Sequence, residues 1–227
     1  MCLDEINACH CDYKIRALKM EMQGTVFLID DDESVRDALT SIIEEHGLTV
    51  HSFTDGIKFL ESFKPSSKPE LIVLDMKMPV ITGLEIQSKL SAMQVHIPII
   101  FISGHSHKEE IIQCLKNGAS DFLLKPFKFE DLLLSIEKCL KFDLSYKEIK
   151  NKYDLLTPRE KEVFEELVNG ELLKAIALKW DVSESVVKLH KANIMQKLQI
   201  ETLQDLTRIS LSLNSPQLLM AQGGGGE

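Results

Sequence analysis

Apolar positions along this chain follow two regimes. Between Thr25 and Leu140, short apolar runs alternate with stretches whose apolar residues recur every three or four positions; beyond Leu155 only the second pattern remains. The runs are Thr25–Ile29, Thr49–Phe53, Leu71–Leu74, Ile99–Ile102 and Asp121–Leu124, each too brief for a helix and bounded by polar residues, proline or glycine. They predict buried parallel strands. The periodic stretches predict helices, with inward faces of Val35, Ala38, Leu39, Ile42, Ile43 and His46, then Ile57, Leu60 and Phe63, then Ile86 and Leu90, then Ile111, Ile112 and Leu115, then Leu132, Leu133, Ile136 and Leu140. Gly47 and Asn117-Gly118 close two of them, because glycine accepts the left-handed turn. Five alternating βα units predict an α/β doubly wound five-stranded parallel sheet over 24–142.

The second regime opens with Thr157-Pro158-Arg159-Glu160, a capping box with proline at the first helical position. Its face is Val163, Phe164, Leu167 and Val168, and Asn169-Gly170 ends it. A short helix with Leu172, Leu173, Ile176 and Ala177 follows, then a turn at Trp180-Asp181-Val182-Ser183. A longer helix with Val187, His190, Ile194 and Leu198 inward comes next, then a last one with Leu203, Leu206 and Ile209. This predicts a small all-α four-helix domain over 155–213. Residues 143–154 mix Glu and Lys without glycine and are assigned to a linker with some helical tendency. Residues 1–23 are an accessory extension, and 214–227, with four consecutive glycines, a flexible tail.

Composition is that of a globular protein, 44% apolar and 27% charged. No apolar run reaches the roughly 18 residues of a membrane span, so a soluble cytoplasmic protein without a membrane partner is expected. The net charge of −9 argues against coating nucleic acid by bulk electrostatics, although lysines gather between Ser183 and Leu198. Five cysteines do not read as a disulfide framework. Cys2, Cys9, His10 and Cys11 match no standard zinc spacing.

Chemistry enters at the strand ends. If the first, third, fourth and fifth strands are neighbours, Asp30, Asp31, Asp75, Ser103 and Lys125 share one sheet edge, where open α/β sheets bind ligands. Adjacent carboxylates repel, and a hard cation with oxygen ligands relieves the repulsion. Mg2+ suits, because it uses few protein carboxylates and keeps waters for a phosphoryl donor. Asp75, delivered to a loop mouth just before Met78-Pro79, is the candidate nucleophile for a phosphoryl group. The charge developing on the phosphoryl oxygens would be met by the metal, the Lys125 ammonium and the Ser103 hydroxyl. One aspartate at a strand end means little; five matching strand-end residues in order carry the inference.

With those residues in view, 24–142 resembles the receiver domain of bacterial two-component signalling, a flavodoxin-like fold. The motifs are Asp30-Asp31, Leu-Asp-x-x-Met-Pro-x-x-x-Gly from Leu74 to Gly83, Ser103-Gly104, and Lys125-Pro126-Phe127. The resemblance implies phosphorylation of Asp75 by a histidine kinase, with Mg2+ on Asp31, Asp75 and the Lys77 carbonyl and Asp30 acting through water. It also implies a switch in which the Ser103 hydroxyl moves toward the phosphoryl group and the Phe122 ring fills the vacated space. Ser and Phe replace the commoner Thr and Tyr and keep the hydroxyl and the ring. Core packing is the plain alternative for Phe122, and dipole complementation the favoured one for Asp32 and Glu33.

The turn at 180–183 has helix-turn-helix spacing. Lysines scattered on a helix ordinarily mark a solvated face, but Leu155–Leu213 resembles LuxR-type domains. The matching strings are Leu156-Thr157-Pro158-Arg159-Glu160, Ile176-Ala177, Val182-Ser183, Val187-Lys188-x-His190 and Ile194-x-x-Lys197-Leu198. The resemblance implies that Lys188, Leu189 and Ala192 lie nearest the base edges, and that Ser183, Ser185, Lys174, Lys191 and Lys197 meet phosphates. Leu172-Leu173 departs from the usual polar pair and Asp181 from the usual glycine, which leaves the target sequence open. A near-zero domain charge implies weak binding by one copy, corrected by dimerisation. The last helix, or the first-helix and fifth-strand side of the receiver, is the candidate contact.

Together the halves resemble NarL/FixJ-subfamily response regulators: phosphorylation-controlled, DNA-binding transcription regulators that dimerise on phosphorylation, and not enzymes. Two rival readings fit the residues less well. A haloacid-dehalogenase-type phosphatase built on Asp30-x-Asp32 leaves Asp75 and the helix-turn-helix unexplained. A receiver that no longer takes phosphate is opposed by its complete acidic set.

Overall fold

The computed structural model describes residues 23–104 and 107–214. The Cys and His residues of the N-terminal extension, His105 and the glycine-rich tail lie outside the described residues. The chain divides into two compact units, 1–141 and 142–227.

The first unit is a five-stranded parallel sheet in the order β2-β1-β3-β4-β5. Its strands are β1 (Thr25–Ile29), β2 (Thr49–Phe53), β3 (Glu70–Asp75), β4 (Ile99–Ser103) and β5 (Asp121–Leu124). Helices α1 (Glu33–Glu45), α2 (Gly56–Ser62), α3 (Gly83–Ala92), α4 (Lys108–Lys116) and α5 (Phe129–Asp154) follow them in turn. β3 and β4 are buried at every position, whereas β2, on the edge, is half exposed. This explains why the central strands read as unbroken apolar runs. Because the strand order reverses between β1 and β3, the crevice at their carboxyl ends is the topological switch point where such sheets place ligands.

Local chemistry starts each helix. Asp32 caps α1 by accepting from the backbone N–H groups of Ser34 and Val35, which is the use expected of an acid at that position. Asp55 caps α2, and Thr82 with Glu85 forms a capping box on α3.

Three expected inward faces are corrected. In α2 the fully buried residue is Phe59, packed with Phe27 and Phe63, while Ile57 is exposed. In α4 it is Cys114; Ile112 and Leu115 face outward. An apolar arc wider than the contact it serves does not say which edge turns in, and a small thiol fits the closer approach. In α1, Leu39 and Ile43 are buried as expected, but with them goes Arg36, while Ala38 is exposed. Cys114 and Cys139 are both buried, and neither forms a disulfide among the described residues.

Residues 143–154, expected to be a linker with some helical tendency, lie within α5, which is unbroken through them. No glycine or proline occurs from Phe127 to Thr157, and ion pairs at i,i+4 (Lys141–Glu137, Lys147–Asp143, Lys150–Asp154) support the helix. Within the second unit, Ile149 and Tyr153 near its end pack on a core of Val163, Phe164, Ile176, Val187, Ile194, Leu198 and Leu206.

That core joins α6 (Pro158–Val168), α7 (Leu173–Lys179), α8 (Glu184–Leu198) and α9 (Leu203–Asn214). Asp181 adopts a positive φ of 52° in the α7–α8 turn, which aspartate tolerates better than most residues. Leu172, expected inward, is exposed because it sits at the N-cap of α7, ahead of the helical face; Leu203 is exposed at the first turn of α9. No helix among the described residues is long and apolar enough to cross a membrane.

Candidate functional site

Parallel register sets the geometry of the switch point. Ile29 pairs with Leu74, so Asp30 and Asp75 leave their strands at the same level. Asp75 pairs with Ile102, which puts Ser103 one residue further out; Ser103 pairs with Leu124, so Lys125 starts further out again. The lysine stem is long enough to reach back. Its ammonium donates to Asp30 Oδ2 at 2.8 Å and to Asp75 Oδ1 at 3.0 Å.

Both carboxylates are otherwise held by backbone. Asp75 Oδ2 accepts from the N–H of Lys77 at 2.8 Å, and Asp30 Oδ1 from that of Asp32 at 2.9 Å. The loop after β3 is tied down by Met76, whose N–H donates to Ile102 O and whose carbonyl accepts from the N–H of Gly83. Only glycine fits at 83: a Cβ there would stand 2.8 Å from the Asp75 carbonyl oxygen and 2.8 Å from the Phe101 ring. The Lys77 ammonium lies 3.8 Å from Glu110, whose carboxylate also accepts from the N–H of His107 ahead of α4.

The electrostatics are unbalanced. Asp75 is 7% exposed, and burial pushes its carboxyl pKa above the ordinary value; the hydrogen bonds from Lys125 and Lys77 work against this, and neighbouring Asp30 adds to it. Burial also disfavours the Lys125 charge, but its bonds to Asp30 and Asp75 outweigh that and raise its pKa. Two carboxylates thus share one ammonium.

Of the residues expected at this edge, the structure brings Asp30, Asp75 and Lys125 into contact and places buried Ser103 on the neighbouring strand. Phe122, paired with Phe101, is half buried against the core. Asp31 is exposed, and among the described residues no three acidic, histidine or cysteine side chains crowd together closely enough to grip an ion unaided. Among the buried polar side chains that the sequence does not announce, two hold a distant backbone carbonyl. Arg36 donates through Nη1 to the Asp30 carbonyl at 2.9 Å, and Gln87 through Nε2 to the Cys114 carbonyl at 3.1 Å. Both fall on helical faces with apolar neighbours, Arg36 with Leu39 and Ile43, Gln87 with Ile86 and Leu90, and that spacing was the available signal.

In the second unit, α8 buries Val187, Ile194 and Leu198 and leaves Lys188, Leu189 and Ala192 exposed, with Lys191 half exposed. Ser183 stands at its N-cap without a side-chain cap bond, and Ser185 and Lys174 are exposed. Carboxylates attenuate this basic face: Lys188 pairs with Glu184 at 2.9 Å, and Lys179 with Glu166. Lys197, also expected to meet phosphate, has its ammonium 2.6 Å from buried Glu160 and 3.2 Å from the Leu155 carbonyl oxygen, so in this structure it is engaged within the fold.

Comparison with known proteins follows the same division. Residues 26–137 match the family model of the response regulator receiver domain, and 154–210 that of the luxR family of bacterial regulatory proteins. The chain is 38% identical over 197 residues to the response regulator protein TmoT of Ectopseudomonas mendocina, covering 84% of this chain and 89% of that one. It is 32% identical over 199 residues to the transcriptional regulatory protein FixJ of Bradyrhizobium diazoefficiens, covering 85% and 97%. Among solved structures, the response regulator StyR aligns with a TM-score of 0.53 at 35% identity, covering 83% of this chain and 98% of that one.

Proposed function

The chain belongs to the response regulators that join a receiver domain to a LuxR-type DNA-binding domain, and from that premise we propose that Asp75 is the phosphoacceptor through which a histidine kinase controls its binding to DNA. The observation that carries this is the convergence of Asp30, Asp75 and Lys125, side chains up to 95 residues apart in sequence, at the switch point of the sheet. In the transfer, an Asp75 carboxylate oxygen attacks phosphorus, the phosphorus–nitrogen bond to the donor histidine breaks, and the released imidazole takes up a proton. The new acyl phosphate carries more negative charge than the carboxylate it replaces. Lys125, already held against Asp75 Oδ1, meets part of that charge, and the Ser103 hydroxyl is the next donor along the edge.

The donor set suits Mg2+. Asp30, Asp31, Asp75 and the Lys77 carbonyl offer hard oxygens only, and the carboxylates exceed the ammonium that serves them, so a divalent cation restores the balance. Two carboxylates near one another, with the remaining positions left to water and phosphoryl oxygen, is the way magnesium is ordinarily held. When bound, the ion would supply charge neutralisation at the phosphoryl oxygens.

Output falls to α8, laid in a major groove with Lys188, Leu189 and Ala192 toward base edges and Ser183, Ser185, Lys174 and Lys191 toward phosphates. Lys197 is left out of this set. One copy presents few unpaired cations, so two copies on adjacent half-sites are expected to be the binding form, assembled on phosphorylation with Phe122 and Ser103 as the switch. The test is phosphoryl transfer to the full chain from a radiolabelled phosphohistidine donor. Label that is acid-stable and alkali-labile should appear on the wild type and be absent from Asp75→Asn. Label persisting in that variant refutes the assignment.

A further inference from the structure

Among the described residues of the first unit, Arg36 is the one buried cation that the phosphoacceptor chemistry does not employ. It is 8% exposed, on the inward face of α1, and among the described residues it forms no ion pair. Removing a guanidinium from water without a carboxylate partner is expensive, so its single hydrogen bond, Nη1 to the Asp30 carbonyl at 2.9 Å, calls for a reason.

The reason lies in how Asp30 is held. Its N–H donates to the Phe53 carbonyl at the end of β2, its Oδ1 accepts from the N–H of Asp32, and its Oδ2 from Lys125. The carbonyl is the remaining polar group, and it belongs to the peptide that links Asp30 to Asp31. While that peptide can rotate, the two acids have no fixed relation. With the carbonyl clamped, the peptide plane is set, and with it the direction in which the Asp31 side chain leaves the backbone. Asp31 is exposed and needs such guidance more than buried Asp30 does. A planar fork rooted in the α1 core face, six residues along, supplies it from a rigid element.

We infer that Arg36 is a positioning residue for the divalent-cation site: by clamping the Asp30–Asp31 peptide through its carbonyl, it preorganises the two acids for a metal ion that neither touches Arg36 nor is liganded by it. The inference rests on the reading of Asp30 and Asp31 as cation ligands. It also makes a prediction about sign. A buried positive charge near a cation site repels the cation, so if charge were its effect, removing Arg36 would tighten binding. If positioning is its effect, removal weakens binding despite the relieved repulsion.

The experiment is calorimetric titration of Mg2+ into the full chain without any phosphoryl donor, for wild type, Arg36→Met and Arg36→Lys, with thermal unfolding in EDTA alongside. Arg36→Met, which keeps the apolar stem, should bind Mg2+ about tenfold more weakly or worse, the usual scale for loss of an orienting partner behind a ligand. Arg36→Lys, with a charge but no fork, should fall between it and wild type, and remains the informative variant if the methionine chain fails to fold. Unfolding in EDTA should change little, because a merely structural residue would move that midpoint and leave the affinity alone. Unchanged or tighter affinity in both variants, with wild type binding normally, overturns the inference and spares the cation reading. Wild type taking up no Mg2+ overturns both.

Discussion

Each unit of this protein contains a buried carboxylate against a partly exposed lysine, and the two pairs behave in opposite ways. In the second unit Glu160 is 3% exposed and meets Lys197 at 2.6 Å. Its carboxylate oxygen Oε2 also accepts from the hydroxyl and N–H of Thr157, so three donors converge on it. Burial alone would raise the Glu160 pKa, but the Lys197 and Thr157 bonds more than offset it and hold it below the ordinary value. In the first unit burial wins: it keeps the Asp75 pKa raised against the bonds from Lys125, at 3.0 Å, and from the Lys77 N–H, and the nearby charge of Asp30, which also binds Lys125, adds to the rise. Same groups, opposite balance. A satisfied buried pair is a structural device; an unsatisfied one is what a site looks like while it lacks the charge it is built to receive.

The largest expected effect breaks the satisfied pair. Glu160→Gln removes the charge that Lys197 and the capping box are arranged around, and it should destabilise the second unit by about 2 kcal/mol, discounted from the range for fully buried pairs because Lys197 is a third exposed. Trp180, the single tryptophan, sits in that unit and reports its unfolding by fluorescence in denaturant. A midpoint within error of wild type would show that the pair is decorative.

That pair also marks what sequence can and cannot convey. Strand ends were legible, since an apolar run that stops at Asp30, Asp75 or Lys125 announces both the strand and the residue at its mouth. So was the capping box at Thr157. The partner of a long flexible side chain was not: Lys197 reads as one more cation on a basic helix until Glu160, 37 residues earlier, is found beneath it. Arg36 and Gln87 were passed over because polar residues are assigned outward by default, and their burial depends on a neighbouring backbone carbonyl that no periodicity reveals. The helical continuity of α5 was half visible, in charge pairs spaced four apart; what hid it was the expectation that a polar stretch between domains is a linker.

A smaller effect, of opposite sign, should follow at the frustrated pair. Asp75→Asn keeps an acceptor for the N–H of Lys77 and removes a carboxylate that burial and Asp30 disfavour. Lys125 then serves Asp30 alone. In the absence of Mg2+ the first unit should gain roughly 1 kcal/mol, the low end of what removing a desolvated charge yields. Amide exchange in β1 and β3 reads this unit separately from Trp180 and should slow. Faster exchange would mean that Asp75 stabilises the fold, and the contrast with Glu160 would fail.

The smallest effect is the most discriminating, because it asks both pairs to respond to one variable. Asp75 has its folded pKa above its unfolded one, so between the two the folded form binds more protons. Stability of the first unit should therefore rise as pH falls from neutrality through that raised value, then level off near the ordinary aspartate pKa. Glu160 has its folded pKa below its unfolded one, so its contribution is complete above the ordinary glutamate value and is lost only as pH drops further, through the lowered one. Acidification should thus firm β1 and β3 first and loosen the environment of Trp180 later. Each trend should vanish in the matching variant, Asp75→Asn or Glu160→Gln, and persist in the other. Parallel loss in both units on acidification would show that general charge repulsion, not the local balance at these two lysines, governs the response.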